Sequence, residues 1–329
     1  MKIAITGGAG FFGSQVVEAL IKKGHTVYII DDLSRGLAVN LKKVSSKKMH
    51  LTYGDFSDPR RAMEWTDHLR RNKVELFLHM ASPMSHNPVD HIAGLELAAS
   101  YLRSLSVLNI PTVFISTSSA NTNPDTKGLH NETIRPEGLY GMTKAFMEWA
   151  LYDLKSKGLV PNYVALRPCN LYGPREVFSG HSHVHVIPNL IRKALTEPGP
   201  IEVLGDGTQT RPFTYVDDGV SAVLASIEVA SKGKTLELAM VQGPQVSIRK
   251  VLELILKETK SNAKVKWDTS YAGVHSRELP PHDGKLLGGW EPKTSIEKGI
   301  KETVKWAMAN MDRLHMEDMD ERPLGKALA

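Results

Sequence analysis

A short apolar strand, Lys2-Ile3-Ala4-Ile5, runs into Thr6-Gly7-Gly8-Ala9-Gly10-Phe11-Phe12-Gly13 and then directly into an amphipathic helical pattern from Gln15 to Lys23. Three glycines spaced TGxxGxxG let a backbone turn tightly after a strand and aim the free N–H groups of a helix N-terminus at a closely approaching phosphate. A second apolar strand, Thr26-Val27-Tyr28-Ile29-Ile30, ends in Asp31 about 20 residues beyond the glycines. Strand, glycine turn, helix, strand and acid in that order predict the first βαβ unit of a dinucleotide site. A carboxylate at Asp31 can accept both ribose hydroxyls of NAD and would repel the extra phosphate of NADP. Asp32 can serve the ribose or cap the following turn, and Arg35 leaves NADP open.

Further apolar strands are predicted at 26 to 31, 49 to 53, 74 to 79, 111 to 116 and 162 to 167, with helical patterns between them. Such alternation means parallel βαβ units with right-handed crossovers, so the expected fold class is α/β with a doubly wound parallel sheet. Beyond about residue 170 the chain turns Pro- and Gly-rich, with shorter elements at 189 to 195, 217 to 230 and 248 to 257. This reads as a smaller C-terminal substrate-binding lobe. The expected division is a nucleotide-binding domain over 1–170 with a return segment near 213–240, the lobe over 171–312, and a charged, Met-rich tail over 313–329.

The bulk composition excludes several classes. With 41% hydrophobic and 23% charged residues over 329 positions, the chain can bury a sizeable core as an ordinary globular enzyme. No apolar run reaches the length of a membrane span, and MKIAIT entering a strand leaves no room for a signal peptide. The single cysteine, Cys169, excludes an intrachain disulfide and suits a cytoplasmic location; it reads as a small packing residue. The net charge of +5 is dispersed rather than clustered, which argues against nucleic acid and suits an anionic small substrate.

Chemistry concentrates in Tyr140-Gly141-Met142-Thr143-Lys144, near the start of a helical pattern. Tyr140 and Lys144 share one helix face, and of the 9 tyrosines only Tyr140 has a lysine four residues on. An ammonium near a phenol favours the phenolate, so Tyr140 is expected to work as a base. The strand Thr112-Val113-Phe114-Ile115 ends in Ser116-Thr117-Ser118-Ser119, which puts hydroxyls where open α/β sheets bind ligands. Thr117 or Ser118 can hold the oxygen that Tyr140 deprotonates, whereas Ser119 reads as a turn or cap.

These residues resemble the extended short-chain dehydrogenase/reductase group that modifies nucleotide sugars, and the resemblance covers nearly the whole chain. Its fingerprints stand in order: TGGAGFFGS, Gly54-Asp55, His79-Met80-Ala81-Ser82, Ser116-Thr117-Ser118, YGMTK, Arg167-Pro168-Cys169-Asn170-Leu171-Tyr172-Gly173-Pro174, and the stretch from Gly205 to Asp218. The resemblance implies a Rossmann domain holding NAD through Gly7, Gly10, Phe11, Phe12, Gly13, Asp31, Asp32, Ser34, Asp55, Phe56, Met80, Ala81, Ser82 and Lys144. It implies Tyr140, Lys144, Thr117 and Ser118 as the catalytic set. It further implies that Asn170, His185, Val186, Arg211 and Arg277 bind the nucleotide sugar, and that the helices near 92 to 108 and 138 to 156 pair two copies into a homodimer.

Two departures stand out. Many relatives carry an acid shortly after the strand-end hydroxyls, where this chain reads Ser119-Ala120-Asn121-Thr122-Asn123. That carboxylate assists the second step of 4,6-dehydratases and uronic acid decarboxylases, so its absence favours a 4-epimerase. The phrase HMASP and the run GDGTQTR keep the decarboxylase open, as a 4-ketosugar reductase using NADPH and a non-catalytic NAD sensor remain rivals. The second departure is His181, His183 and His185, which invite a zinc reading. No carboxylate or cysteine stands nearby in sequence, so no metal is expected; the segment reads as a polar substrate loop, with His185 reaching substrate.

Overall fold

The computed structural model describes residues 1–44, 46–82, 88–120, 136, 138–178, 185–270 and 283–314, with backbone alone at 43 and 88–91. The chain forms two compact units, one of Met1–Pro168, Gly219–Val241 and Pro280–Glu291, the other of Cys169–Asp218, Gln242–Leu279 and Pro292–Ala329.

The first unit contains β1 (Lys2–Thr6), α1 (Phe11–Lys22), β2 (Thr26–Asp31), β3 (Met49–Tyr53), α2 (Pro59–Arg71), β4 (Leu76–His79), α3 (Pro88–Leu108), β5 (Thr112–Ile115), α4 (Gly138–Ser156) and β6 (Tyr163–Pro168). In chain order there follow β7 (Leu171–Tyr172), α5 (Val186–Thr196), β8 (Ile201–Leu204), β9 (Thr210–Pro212), β10 (Thr214–Tyr215), α6 (Val216–Ser231), β11 (Leu236–Val241), β12 (Gln245–Ser247), α7 (Ile248–Thr259), β13 (Val265–Asp268) and α8 (Ile296–Met308). Seven parallel strands form one sheet in the order β11-β6-β5-β4-β1-β2-β3. The doubly wound parallel sheet expected from the alternating pattern is therefore the fold.

Its strands are apolar throughout because both faces are covered. Ile3, Ile5, Ile29, Leu78, Val113 and Leu166 point to the side of α1 and α6. Ala4, Tyr28, Ile30, Phe77, Phe114 and Ala165 point to the side of α2, α3 and α4, where Trp65, Tyr101 and Leu151 meet them. β1 lies between β2 and β4, so the winding direction reverses at β1 and β4, and the crevice at their C-terminal ends is where such sheets take ligands. The glycine turn leaves one of those ends and the Met80-Ala81-Ser82 segment the other.

In the second unit β7 pairs with β10, β9 with β12 and β8 with β13. Helices α5, α7 and α8 pack against one another, burying Leu190, Ile191, Leu252, Ile255, Ile300 and Val304. Among the described residues, no helix is long and apolar enough to cross a membrane.

Candidate active site

The glycine turn is set by contacts that only glycine permits. Gly7 has φ +72° and its N–H donates to Ile30 O at 3.0 Å; a Cβ on it would lie 2.8 Å from the Ala81 backbone. A Cβ on Gly13 would fall 2.0 Å from Gly7 O, so α1 starts against the turn it follows. Gly10 caps α1 without any side-chain bond, which leaves the first-turn N–H groups, those of Phe11 and Phe12 among them, unused by the helix. Thr6 Oγ1 accepts from the N–H of Met80 and of Ala81, both at 3.2 Å, and meets His79 Nδ1 at 2.7 Å. β1 and β4 are thereby stitched together at the crevice.

Asp31 is buried, with Oδ2 accepting from Ala9 N–H at 2.8 Å and Oδ1 from Leu33 N–H at 2.9 Å. Burial pushes its carboxyl up from the usual range, opposed by those two bonds. A carboxylate offers about four acceptor sites, so two remain for ribose hydroxyls. The residues fit a dinucleotide: backbone lies where any side chain would intrude, a helix N-terminus is uncapped, and an acid stands at the end of β2.

Other sequence candidates serve locally. Asp32 Oδ1 accepts from Ser34 N–H at 2.9 Å and Ser34 Oγ at 2.7 Å, the turn-capping alternative. Asp55 Oδ1 does the same for Ser57, at 2.8 and 2.7 Å. The ring of Phe56 is committed to the core, edge-on to Trp65 and Phe77, so only its backbone is available to a ligand.

Tyr140 stands in the first turn of α4, its hydroxyl hydrogen-bonded to Thr117 and Ser82. Thr117, not Ser118, is therefore the strand-end hydroxyl at the phenol, Ser118 having entered a short 3-10 turn. Ser82, read from sequence only as a cofactor contact, is the second partner. Gly141 makes this approach possible, since a Cβ there would lie 2.4 Å from Ser119 O. Lys144 is buried; Nζ donates to Ile115 O at 2.8 Å and sits 6.0 Å from the centre of the Tyr140 ring. His79, Ala81, Ser82, Tyr140 and Lys144 line one small pocket.

The electrostatics differ from the sequence expectation. Burial pushes the Tyr140 phenol up, and the bonds to Thr117 and Ser82 only partly oppose it. Burial also lowers Lys144 to about 7, against the pull of the Glu148 carboxylate. Lys144 thus lies near the phenol ring while its ammonium is committed to the Ile115 carbonyl. His79 is held neutral, well below its ordinary value, by burial and by the Lys144 charge.

In the second unit Asn170, at φ +40°, donates from Nδ2 to Pro212 O at 2.8 Å. That bond brings it beside Arg211 on β9, whose Nη1 donates to Thr210 O at 2.8 Å. His185 is the N-cap of α5, immediately before Val186, and its Nδ1 lies 2.6 Å from Oε1 of the buried Glu176. Burial pushes Glu176 up, with the His185 contact opposing. For His185 burial pulls down but the Glu176 bond prevails and leaves it raised. This corrects the reading that no carboxylate stands near the histidines. Glu176 sits nine residues from His185, with no periodicity to betray it. Arg277, His181, His183 and Asn121 to Asn123 lie outside the described residues.

Comparison with known proteins places the chain. The sequence profile of the NAD dependent epimerase/dehydratase family matches residues 3–239. A putative UDP-glucose 4-epimerase of Methanocaldococcus jannaschii is 28% identical over 94% of this chain and 99% of its own. A UDP-N-acetyl-alpha-D-glucosaminuronate decarboxylase of Bacillus cytotoxicus is 26% identical over 92% of this chain and 96% of its own. Among solved structures, a UDP-N-acetylglucosamine 4-epimerase from Methanobrevibacter ruminantium in complex with UDP-N-acetylmuramic acid has a TM-score of 0.82 at 27% identity, covering 94% of this chain and 98% of that one.

Proposed function

The chain belongs to the NAD-dependent epimerase/dehydratase family, with NAD as its cofactor, and we propose that within it the protein is a nucleotide-sugar 4-epimerase working through a transient 4-keto sugar. The observation that supports this is the composition of the Tyr140 surroundings. Hydroxyls from Thr117 and Ser82 hold the phenol and Lys144 lies one turn away, while Ser119-Ala120-Asn121-Thr122-Asn123 supplies no acid for a second step. When bound, NAD supplies the acceptor and later the donor of a hydride at sugar C4. Tyr140 takes the C4 hydroxyl proton and returns it to that same oxygen once the keto sugar has turned its other face to the hydride; Thr117 orients the oxygen; Lys144 lies one turn away from the phenol. Inversion needs nothing more than that set and freedom for the keto sugar to turn. Asn170, Arg211, His185 and Val186 are assigned to the nucleotide diphosphate, with Arg211 offering a planar fork to two phosphate oxygens.

The test is incubation of the purified protein with a panel of UDP-, dTDP- and GDP-sugars, followed by chromatography and mass spectrometry. Unchanged mass at a shifted retention position is the expected result; conversion to a product of lower mass in every case overturns it. The likeness to the Bacillus decarboxylase makes decarboxylation the second reading, which loss of carbon dioxide from a UDP-uronic acid would establish.

We also assign this family member to a homodimer. Leu139, Met142, Phe146, Trp149 and Tyr152 form a stripe along α4, each about half exposed or more, beside exposed Leu95 and Val107 of α3. Trp149→Glu is expected to convert the dimer to a monomer, weakening association by about 2 kcal/mol or more. Light scattering on both forms decides it, and an unmodified protein that is already monomeric overturns the assignment.

A further inference from the structure

Tyr140, Lys144 and Glu148 follow at intervals of four along α4, so one helix face carries all three. Beneath them the Glu148 carboxylate is nearly buried and fully engaged. Arg167 of β6, 2% exposed, donates from Nε to Oε1 at 2.9 Å and from Nη2 to Oε2 at 2.5 Å. Ser116, at the end of β5, donates its hydroxyl to the same Oε1. Ser116 stands between Ile115, whose carbonyl accepts from Lys144, and Thr117, which bonds the phenol. One carboxylate therefore ties α4 to the strand end that holds the reacting hydroxyls, and to β6.

Stability alone is a poor reason for such an arrangement. Buried ion pairs lose in desolvation roughly what they recover in attraction, and apolar groups of similar volume often serve a core as well. The placement has a second consequence, because Glu148 is the charged group whose field raises Lys144 against burial. Among the described residues, the other groups about Lys144 are uncharged: the phenol of Tyr140, the Phe114 ring at 5.0 Å, and neutral His79 from β4. Tyr163 of β6 also feels Glu148, with Glu237 and Tyr152, and stays protonated because burial and those charges push it up.

We propose that Glu148 is a positioning residue for the Tyr140–Lys144 pair, its carboxylate setting α4 against the strand end that carries Thr117 and supplying the negative charge that faces Lys144. The proposal rests on the reading of Tyr140 as base. Arg167 and Ser116 act through Glu148, holding its two oxygens in place.

The experiment titrates Lys144 directly. In full-length protein labelled with [ε-¹³C]lysine, the Lys144 signal is the one lost in Lys144→Arg, and its shift with pH reports the ammonium. Wild type is expected to titrate near neutrality, and Glu148→Gln about one pH unit lower, since the removed charge favours the protonated form. Turnover of UDP-glucose should then fall about tenfold at pH 8, with the loss shrinking toward acid pH. Glu148→Asp, which keeps the charge, should hold the midpoint near the wild-type value. If Glu148→Gln does not fold, the pair Glu148→Gln with Arg167→Met exchanges the ion pair for neutral groups and should still move the midpoint down, by less than the single change because the guanidinium charge leaves with the carboxylate. An unmoved midpoint in whichever form folds overturns the proposal. Tyr140→Phe in the same series separates the two ideas: full turnover there removes the base assignment, whereas an inactive Tyr140→Phe beside an unmoved Lys144 midpoint removes only the role of Glu148.

Discussion

Replacing Tyr140 with Phe is expected to lower kcat for the sugar interconversion by about 10²- to 10⁴-fold, with melting temperature and bound NAD unchanged. The substitution deletes one hydroxyl and no core volume. Thr117, relieved of the phenol, still accepts from Ser119 N–H at 3.2 Å, so no buried hydroxyl is stranded. The pH profile carries the sharper signature. Burial holds the phenol protonated above its ordinary value, and a base works only once its own proton has left. Wild-type turnover therefore climbs with pH until Lys144 begins to lose its proton near neutrality, where the two titrations offset one another and the rate levels, and the variant lacks that climb. Chromatographic assay across pH, with NAD released and quantified from each preparation, measures both. Activity within tenfold of wild type would remove Tyr140 from the mechanism.

The second large effect is expected at the glycine turn, where two glycines should fail differently. Gly13→Ala would place a methyl 2.0 Å from Gly7 O and 3.0 Å from Gly7 C and Gly8 Cα, all backbone atoms that cannot rotate aside. The turn and the start of α1 must part, costing about 1–3 kcal/mol or more, and the N–H groups that would meet the pyrophosphate move with them. Gly10→Ala meets only Gly7 O at an ordinary 3.4 Å, in a backbone conformation, φ −67°, that alanine adopts freely. That variant should melt near the wild-type temperature yet carry little NAD, because its methyl stands where backbone must approach the cofactor. Thermal melts with and without added NAD distinguish the two. A Gly13→Ala protein that melts and retains NAD like wild type would refute this account.

The parts of the site that are legible in the sequence are those whose partners are close along the chain. The Tyr140 to Lys144 spacing is a property of any helix, and the strand-end hydroxyls follow from where β5 stops. The partners that set their charge are not local. Glu148 looks like one more exposed helix acid until Arg167, on strand β6, is found 2% exposed against it. Ser82 looks like a cofactor contact until its bond to the phenol is seen. Lys144 reads from its spacing as lowering the phenol directly, whereas its Nζ donates to Ile115 O and burial pushes the phenol up and the ammonium down.

Sequence alone determined the doubly wound sheet, the glycine turn and the order of fingerprints along the chain. Those are consequences of periodicity, backbone sterics and short spacings, which act between near neighbours. Tertiary structure decided that Asp31 is bound to the turn it faces, that Thr117 rather than Ser118 meets Tyr140, that Glu176 holds His185, and that Glu148 faces Lys144. Each is a contact between residues brought together by packing, and burial strengthens such contacts by removing the water that would otherwise screen them.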